Sequence, residues 1–243
     1  MRITSLLLLI CVSLALPSFA QVGIGTSNPS ASAALDISST NKGLLLPRLN
    51  MQQIKNIASP VAGLTVYNTD QNKPCFFNGT EWLHYDNTLV LPKIGSYHVL
   101  AGGIVIYLDA SGIHGIAAAT ADLGSFIPYG CSGTEIPGAQ FSAVGTGQSN
   151  TNAILAACTT AGIGAQLCND FVHNGFSDWY MPSFDEVVLM YQNRDSLPGL
   201  GAGRYWSSTQ VNANIALILD FTNGQTFNMP PSSSRYVRAV RSF

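Results

Sequence analysis

Apolar and polar positions alternate in three different ways along this chain. The first is an almost unbroken apolar run, Leu6-Leu7-Leu8-Leu9-Ile10-Cys11-Val12, continuing through Leu14 to Leu16. Arg2 precedes it and Pro17-Ser18-Phe19-Ala20 follows. A short positive start, an apolar stretch of about a dozen residues and small residues before Gln21 predict a secretory signal over residues 1–20, cut after Ala20. A membrane-spanning helix needs about 20 apolar residues. This run is shorter, and no later stretch approaches that length.

From Gln21 to about residue 90 the apolar pieces are short and set in Ser, Asn and Gly. Val22-Gly23-Ile24-Gly25-Thr26 alternates glycines with apolar residues, while Ala34-Leu35-Asp36-Ile37 and Gly43-Leu44-Leu45-Leu46-Pro47-Arg48 read as short strands. Met51–Ile57 suits two helical turns, and Gly63–Asp70 alternates before a turn. Asn78-Gly79 between Phe77 and Trp82 signals a hairpin. So few bulky residues make a poor core alone, because below about 70–80 residues a single core is marginal. The segment therefore predicts a partner chain or a neighbouring domain.

Residues 91–243 follow a third pattern. Val99–Leu108 is a buried-strand run, Asp109–Gly112 a turn, and Ile113–Ala118 a returning strand. Ser149-Asn150-Thr151 offers a cap for a helix through Ala153–Ala156. Ile163, Leu167 and Phe171 recur every four residues, with Gly175 as a stop. Ser183-Phe184-Asp185-Glu186 has the spacing of a capping box. Phe184, Val187, Val188 and Tyr191 then mark one helical face. Short strands follow at Arg204–Ser208, Ile215–Phe221, Thr226–Asn228 and Tyr236–Arg241. The expectation is α+β: a head of two helices and irregular antiparallel sheets at 91–243, behind a small β-rich stalk at 21–90.

Charge narrows the partners. Only 10% of residues are charged and the net charge is −2, against roughly 25% charged residues in ordinary domains. No Lys/Arg cluster offers a phosphate backbone a footprint, so nucleic acid is excluded as a partner. Export makes disulfides admissible. Cys75, Cys131, Cys158 and Cys168 follow the signal, and four cysteines allow three connectivities. The last three lie in one region, so one bridge belongs there. Cys131–Cys158 is preferred, while Cys75 is free or pairs between chains.

Two family resemblances add to this reading. The segments VGIGTSNPSASAALDISSTNKGLLLPRL, IASPVAGLTVYNTD and FFNGTEW resemble a stalk module of surface and phage-tail-like proteins from gliding-type Gram-negative bacteria. That resemblance implies a homo-oligomer, a trimer in many members, placed ahead of a variable terminal domain. Cys75 departs from its usual pattern. The segments GGIVIYLDASGIHGIAAA, NAILAACTTAGIGAQLCNDFVHNGFSDWYMPSFDEV, RYWSST and RYVRAVRSF are similar to the Lcl C-terminal domain family, named for a collagen-like bacterial adhesin. This implies a fold related to C-type-lectin-like and formylglycine-generating-enzyme-like domains, with adhesion or glycan binding known for some members. The copper chemistry of the latter uses cysteines late in the domain, and here no cysteine follows Cys168.

Candidate chemistry is sparse. His84, His98, His114 and His173 lack metal-motif spacing, and there is no HExxH, GxSxG or complete dinucleotide fingerprint. No catalytic residue, metal or cofactor is expected. The candidate ligand contacts are Trp179, Tyr180, Tyr205 and Trp206 as stacking rings, with Asp178 and Glu186 accepting sugar hydroxyls and Arg238 as a cation. Each also has a packing role: Trp179 in the core, Glu186 in the capping box, Arg238 and Arg241 paired with Asp178, Asp185 or Asp220. Beyond Leu91 acidic residues outnumber basic ones, which disfavours a sulfated polymer. The expected function is an exported, non-catalytic adhesion or recognition head for a glycan or a surface protein. The alternative is a structural component of a surface fibre or tail-like particle with no small ligand.

Overall fold

A computed structural model describes residues 21–243, so the signal over residues 1–20 lies outside the described residues. The described chain is mixed α+β and divides between Pro47 and Arg48 into two compact units. The boundary near residue 90 drawn from composition falls inside the second unit.

In the first unit β1 (Val22–Ile24) and β2 (Leu35–Ile37) form a parallel pair, with Val22 opposite Leu35 and Ile24 opposite Ile37. Alternation along a strand puts these four apolar residues on one face. All four are exposed. Gly25 has φ +77°, and a Cβ there would lie 2.1 Å from the Ser38 carbonyl oxygen, so the turn after β1 requires glycine. Of the Gly43–Arg48 strand expected from sequence only Arg48 lies in a strand, and Leu44 and Leu45 are exposed. An isolated two-stranded ribbon is marginal in water, because each strand buries only one neighbour.

The second unit opens with β3 (Arg48–Leu49) and α1 (Met51–Lys55), which Asn50 and Gln53 start with a capping box. Next come β4 (Thr65–Asn68), β5 (Lys73–Phe77) and β6 (Trp82–His84), giving the sheet order β3-β4-β5-β6. The hairpin at Asn78-Gly79 is present, but its connection is four residues long. Phe77 faces Trp82, and the Asn78 Oδ1 accepts the amides of Thr80 and Glu81, both at 2.8 Å. Ile54, Val66, Cys75, Trp82 and Val90 make a small local core.

β7 (Tyr97–His98), β8 (Gly103–Leu108) and β9 (Gly115–Ala118) then form antiparallel neighbours. The turn between β8 and β9 is held by the Asp109 carboxylate, which accepts from the amides of Ser111 and Gly112. β10 (Gly124–Pro128) follows. Three α-helices, not two, come next: α2 (Gly147–Ala157), α3 (Gly164–Asn169) and α4 (Phe184–Gln192). α2 begins before the expected cap, because Asn150 and Thr151 are interior residues whose side chains bond Phe141 and Met181. α3 stops at Asn169 instead of running to Gly175, because Phe171 turns away to pack on Trp179. α4 has its expected box: the Ser183 hydroxyl accepts the Glu186 amide and the Glu186 carboxylate accepts the Ser183 amide.

The chain closes with β11 (Arg204–Asn212), β12 (Ile215–Asp220), β13 (Thr226–Met229), β14 (Ser234–Val237) and β15 (Val240–Ser242). Five strands are ordered β10-β14-β11-β12-β13, and four are ordered β15-β9-β8-β7. The last ten residues thus serve two sheets. One core joins α2 and α3 to Trp179, Trp206 and Ile218. A second joins α4 to Ile106, Tyr180, Tyr205 and Val240.

A disulfide links Cys131 to Cys158 across a sequence separation of 27 residues. Cys75 and Cys168 are buried thiols, so Cys75 is not placed to pair between chains. Burial raises the Cys75 thiol to about 11. A loop of this length is worth about 3–4 kcal/mol in the chain-entropy view. Replacing Cys131 and Cys158 by Ser should lower the free energy of unfolding in denaturant by that amount. The same loss should appear on adding dithiothreitol to the parent and should be absent from the variant.

Candidate functional site

The aromatic residues expected to face a ligand are internal. Trp179 and Trp206 are each 1% exposed, Tyr205 1% and Tyr180 2%. Each polar tip has an internal partner, as buried Trp and Tyr require. The Trp179 indole donates to the Phe176 carbonyl at 3.2 Å, and its ring meets Phe171 and His173 edge-on. The Trp206 indole donates to the Ile127 carbonyl at 3.0 Å, with Tyr129 packed edge-on at 5.7 Å. Tyr180 is tied to Val240 by two backbone bonds, and its hydroxyl meets the Ser242 hydroxyl at 3.0 Å. These four residues form no open stacking platform. Both members of each adjacent pair are buried because the chain there is covered on two sides: Trp179 and Trp206 enter one core, Tyr180 and Tyr205 the other.

The charged candidates are also engaged. Glu186 is fully buried, and its two oxygens accept the amides of Ser183 and Gly145, each at 2.8 Å. Its carboxyl is pushed above the usual range by burial, against the backbone bonds that favour the charged form. Arg238 has a fully buried side chain. Its Nε donates to Asp122 at 2.6 Å, and the other oxygen of Asp122 accepts the Tyr205 hydroxyl at 2.6 Å. Arg241 grips Asp178 with two bonds, Nε at 2.7 Å and Nη2 at 2.8 Å, while Nη1 donates to the carbonyls of Leu100 and Ala101. Its guanidinium also lies 3.8 Å from the centre of the Phe176 ring. Of the partners weighed from sequence, Asp178 takes Arg241, while Asp220 takes Arg204. Asp122, which no local pattern singled out, takes Arg238.

The histidines do not converge. His84 is buried with its Nε2 2.6 Å from the Gln71 side chain, and His98 is buried beside the Val90 carbonyl. His173 meets Thr120. Among the described residues no group of three or more His, Cys, Asp or Glu is placed to hold a metal ion.

A cleft of about 410 Å³ opens to solvent at one end of the five-stranded sheet. It is lined by Arg204, Asp220, Arg235 and Tyr236, with the hydroxyls of Ser125, Thr222 and Ser234. Arg235 stands just ahead of the Tyr236–Arg241 strand expected from sequence. No spacing rule would have joined it to Arg204, which lies on β11 while Arg235 lies on β14.

Comparison with known families places similarity in the first part of the chain. Residues 23–96 match a family described as a phage tail like trimerisation region. No curated protein matches the chain.

Two outcomes test this internal assignment. Trp206→Ala should cost about 3–5 kcal/mol of stability, as a large-to-small core substitution does; denaturant unfolding measures it. Asp178 is held below the usual carboxylate range, chiefly by its bonds from Arg241. Its stabilising contribution is therefore complete above the unfolded pKa of about 4 and lost as pH falls towards the depressed folded value. Glu186 has the opposite sign and withdraws stability as pH rises through the unfolded carboxylate range. Asp178→Asn should cost about 1 kcal/mol at neutral pH and flatten the acid limb of a plot of melting temperature against pH.

Proposed function

We propose that this chain is an exported, trimer-forming structural component of a surface fibre or a phage-tail-like particle, with no turnover of its own. The observation that carries the reading is the similarity of residues 23–96 to a phage tail like trimerisation region. The exposed face of Val22, Ile24, Leu35 and Ile37 fits it. Four apolar side chains on a two-stranded ribbon have no interior within their own unit. Burying a side chain of this kind stabilises by roughly 1.5–3 kcal/mol, and other copies of the same ribbon would supply the cover.

The remainder of the chain is read as the terminal head, with the C-type-lectin-like fold that its similarity to the Lcl C-terminal domain family suggests. The Cys131–Cys158 disulfide supports an oxidising destination outside the cytoplasm. The internal positions of Trp179, Tyr180, Tyr205 and Trp206 favour the structural reading over a glycan-stacking one.

Sedimentation of residues 21–243 should give the mass of three chains. Ile24→Asp with Leu35→Asp should return it to one, without lowering the melting temperature of the disulfide-bonded part. On a lone chain these exposed substitutions would be nearly neutral. A single-chain mass for the parent throughout the micromolar range would refute the proposal.

A further inference from the structure

The arginines of the final strands are not equivalent. Arg204 is bonded to Asp220, Arg238 to Asp122 and Arg241 to Asp178. Arg235, half-buried on β14, has no carboxylate within 4 Å among the described residues. Its Nη1 donates to the carbonyl of the adjacent Ser234 at 2.5 Å, its Nη2 reaches only the Met229 sulfur at 3.7 Å, and its shielded Nε makes no hydrogen bond. The guanidinium is half-exposed, its Nε is shielded without a partner, and it lines the open cleft without a counter-charge.

The rest of the cleft is already ordered. The Asp220 carboxylate accepts from Arg204 Nε at 3.0 Å and from the amide and hydroxyl of Thr222 at 3.0 and 2.5 Å. The Arg204 guanidinium is also held over the Phe227 ring at 4.3 Å. Tyr236 stacks on Tyr205 at 5.2 Å. A Cβ at Gly201 or Gly203 would lie within 2.6 Å of the Tyr236 ring, so the loop that carries them can lie against it only as glycine. Arg204 and Asp220 cancel, and Arg235 leaves the cleft one positive charge. A guanidinium presents donors in a plane that suits a carboxylate. A dianion would face Asp220 with its second charge.

We propose that this cleft binds a small monoanionic carboxylate, with Arg235 as its counter-charge and Ser125 and Ser234 as hydroxyl contacts. Uronic acids and simple hydroxy acids share that chemistry.

The full chain would be titrated calorimetrically at low and moderate salt with glucuronate, lactate, glucose and inorganic sulfate. Glucuronate or lactate should bind and glucose should not. Binding of glucuronate alone identifies a sugar acid, and of both a plain carboxylate. Arg235→Gln should weaken binding about tenfold or more, whereas Arg194→Gln, outside the cleft, should leave it unchanged. Amide shifts in a nuclear magnetic resonance titration of the parent should fall on Ser125, Ser234 and Tyr236. This reading holds even if Arg235→Gln misfolds. Absence of carboxylate binding, sulfate binding as tightly, or shifts confined elsewhere would overturn the proposal.

Discussion

The second unit depends on one carboxylate. Asp122 holds the buried guanidinium of Arg238 with one oxygen and the Tyr205 hydroxyl with the other. Arg238 also donates to the carbonyls of Ala119 and Pro198, so the ion pair ties residues 119–122, 198–205 and 238 together. Tyr205 is the second residue of β11, and Arg238 lies in the link between β14 and β15. Burying an ion pair of this kind gains little over an apolar substitute, but losing either partner leaves a charge in the interior. The pair therefore acts on register more than on net stability. A shift of the last strand by one residue would point Arg238 out of its site and leave Asp122 facing an apolar side chain.

The Arg241–Asp178 pair repeats this logic at the next position inward. Because Arg241 also donates to the carbonyls of Leu100 and Ala101, it closes the turn that precedes β8. The two arginines are three residues apart, and Ala239 between them is fully buried. This explains the low charge content of the head in part. Two of its arginines, Arg238 and Arg241, work as internal fasteners.

What could be read beforehand was local. The Ser183 capping box, the Asp109 turn and the alternation through Gly63–Asp70 each depend on neighbours within a few residues, and each is found in place. The end of α3 could not be read, because Phe171 leaves the helix to meet Trp179, a contact invisible to a four-residue period. Nor could Asp122, which is 116 residues from its arginine. The aromatic motif at Asp178-Trp179-Tyr180 was ambiguous for a physical reason. A ring that stacks on a sugar and a ring that stacks on Phe171 come from the same residue at the same spacing, and only the tertiary environment separates them. The open cleft was hidden similarly, since its two arginines reach it from strands that are distant in sequence.

The final ten residues carry a consequence for how the molecule is made. Val240, Arg241 and Ser242 pair with Ala118, Ala117 and Ile116, and Phe243 exchanges bonds with Gly115. These are contacts between strands widely separated in sequence. The sheet ordered β15-β9-β8-β7 is complete only once β15 has joined β9. Such high contact order slows folding and lengthens the time spent open.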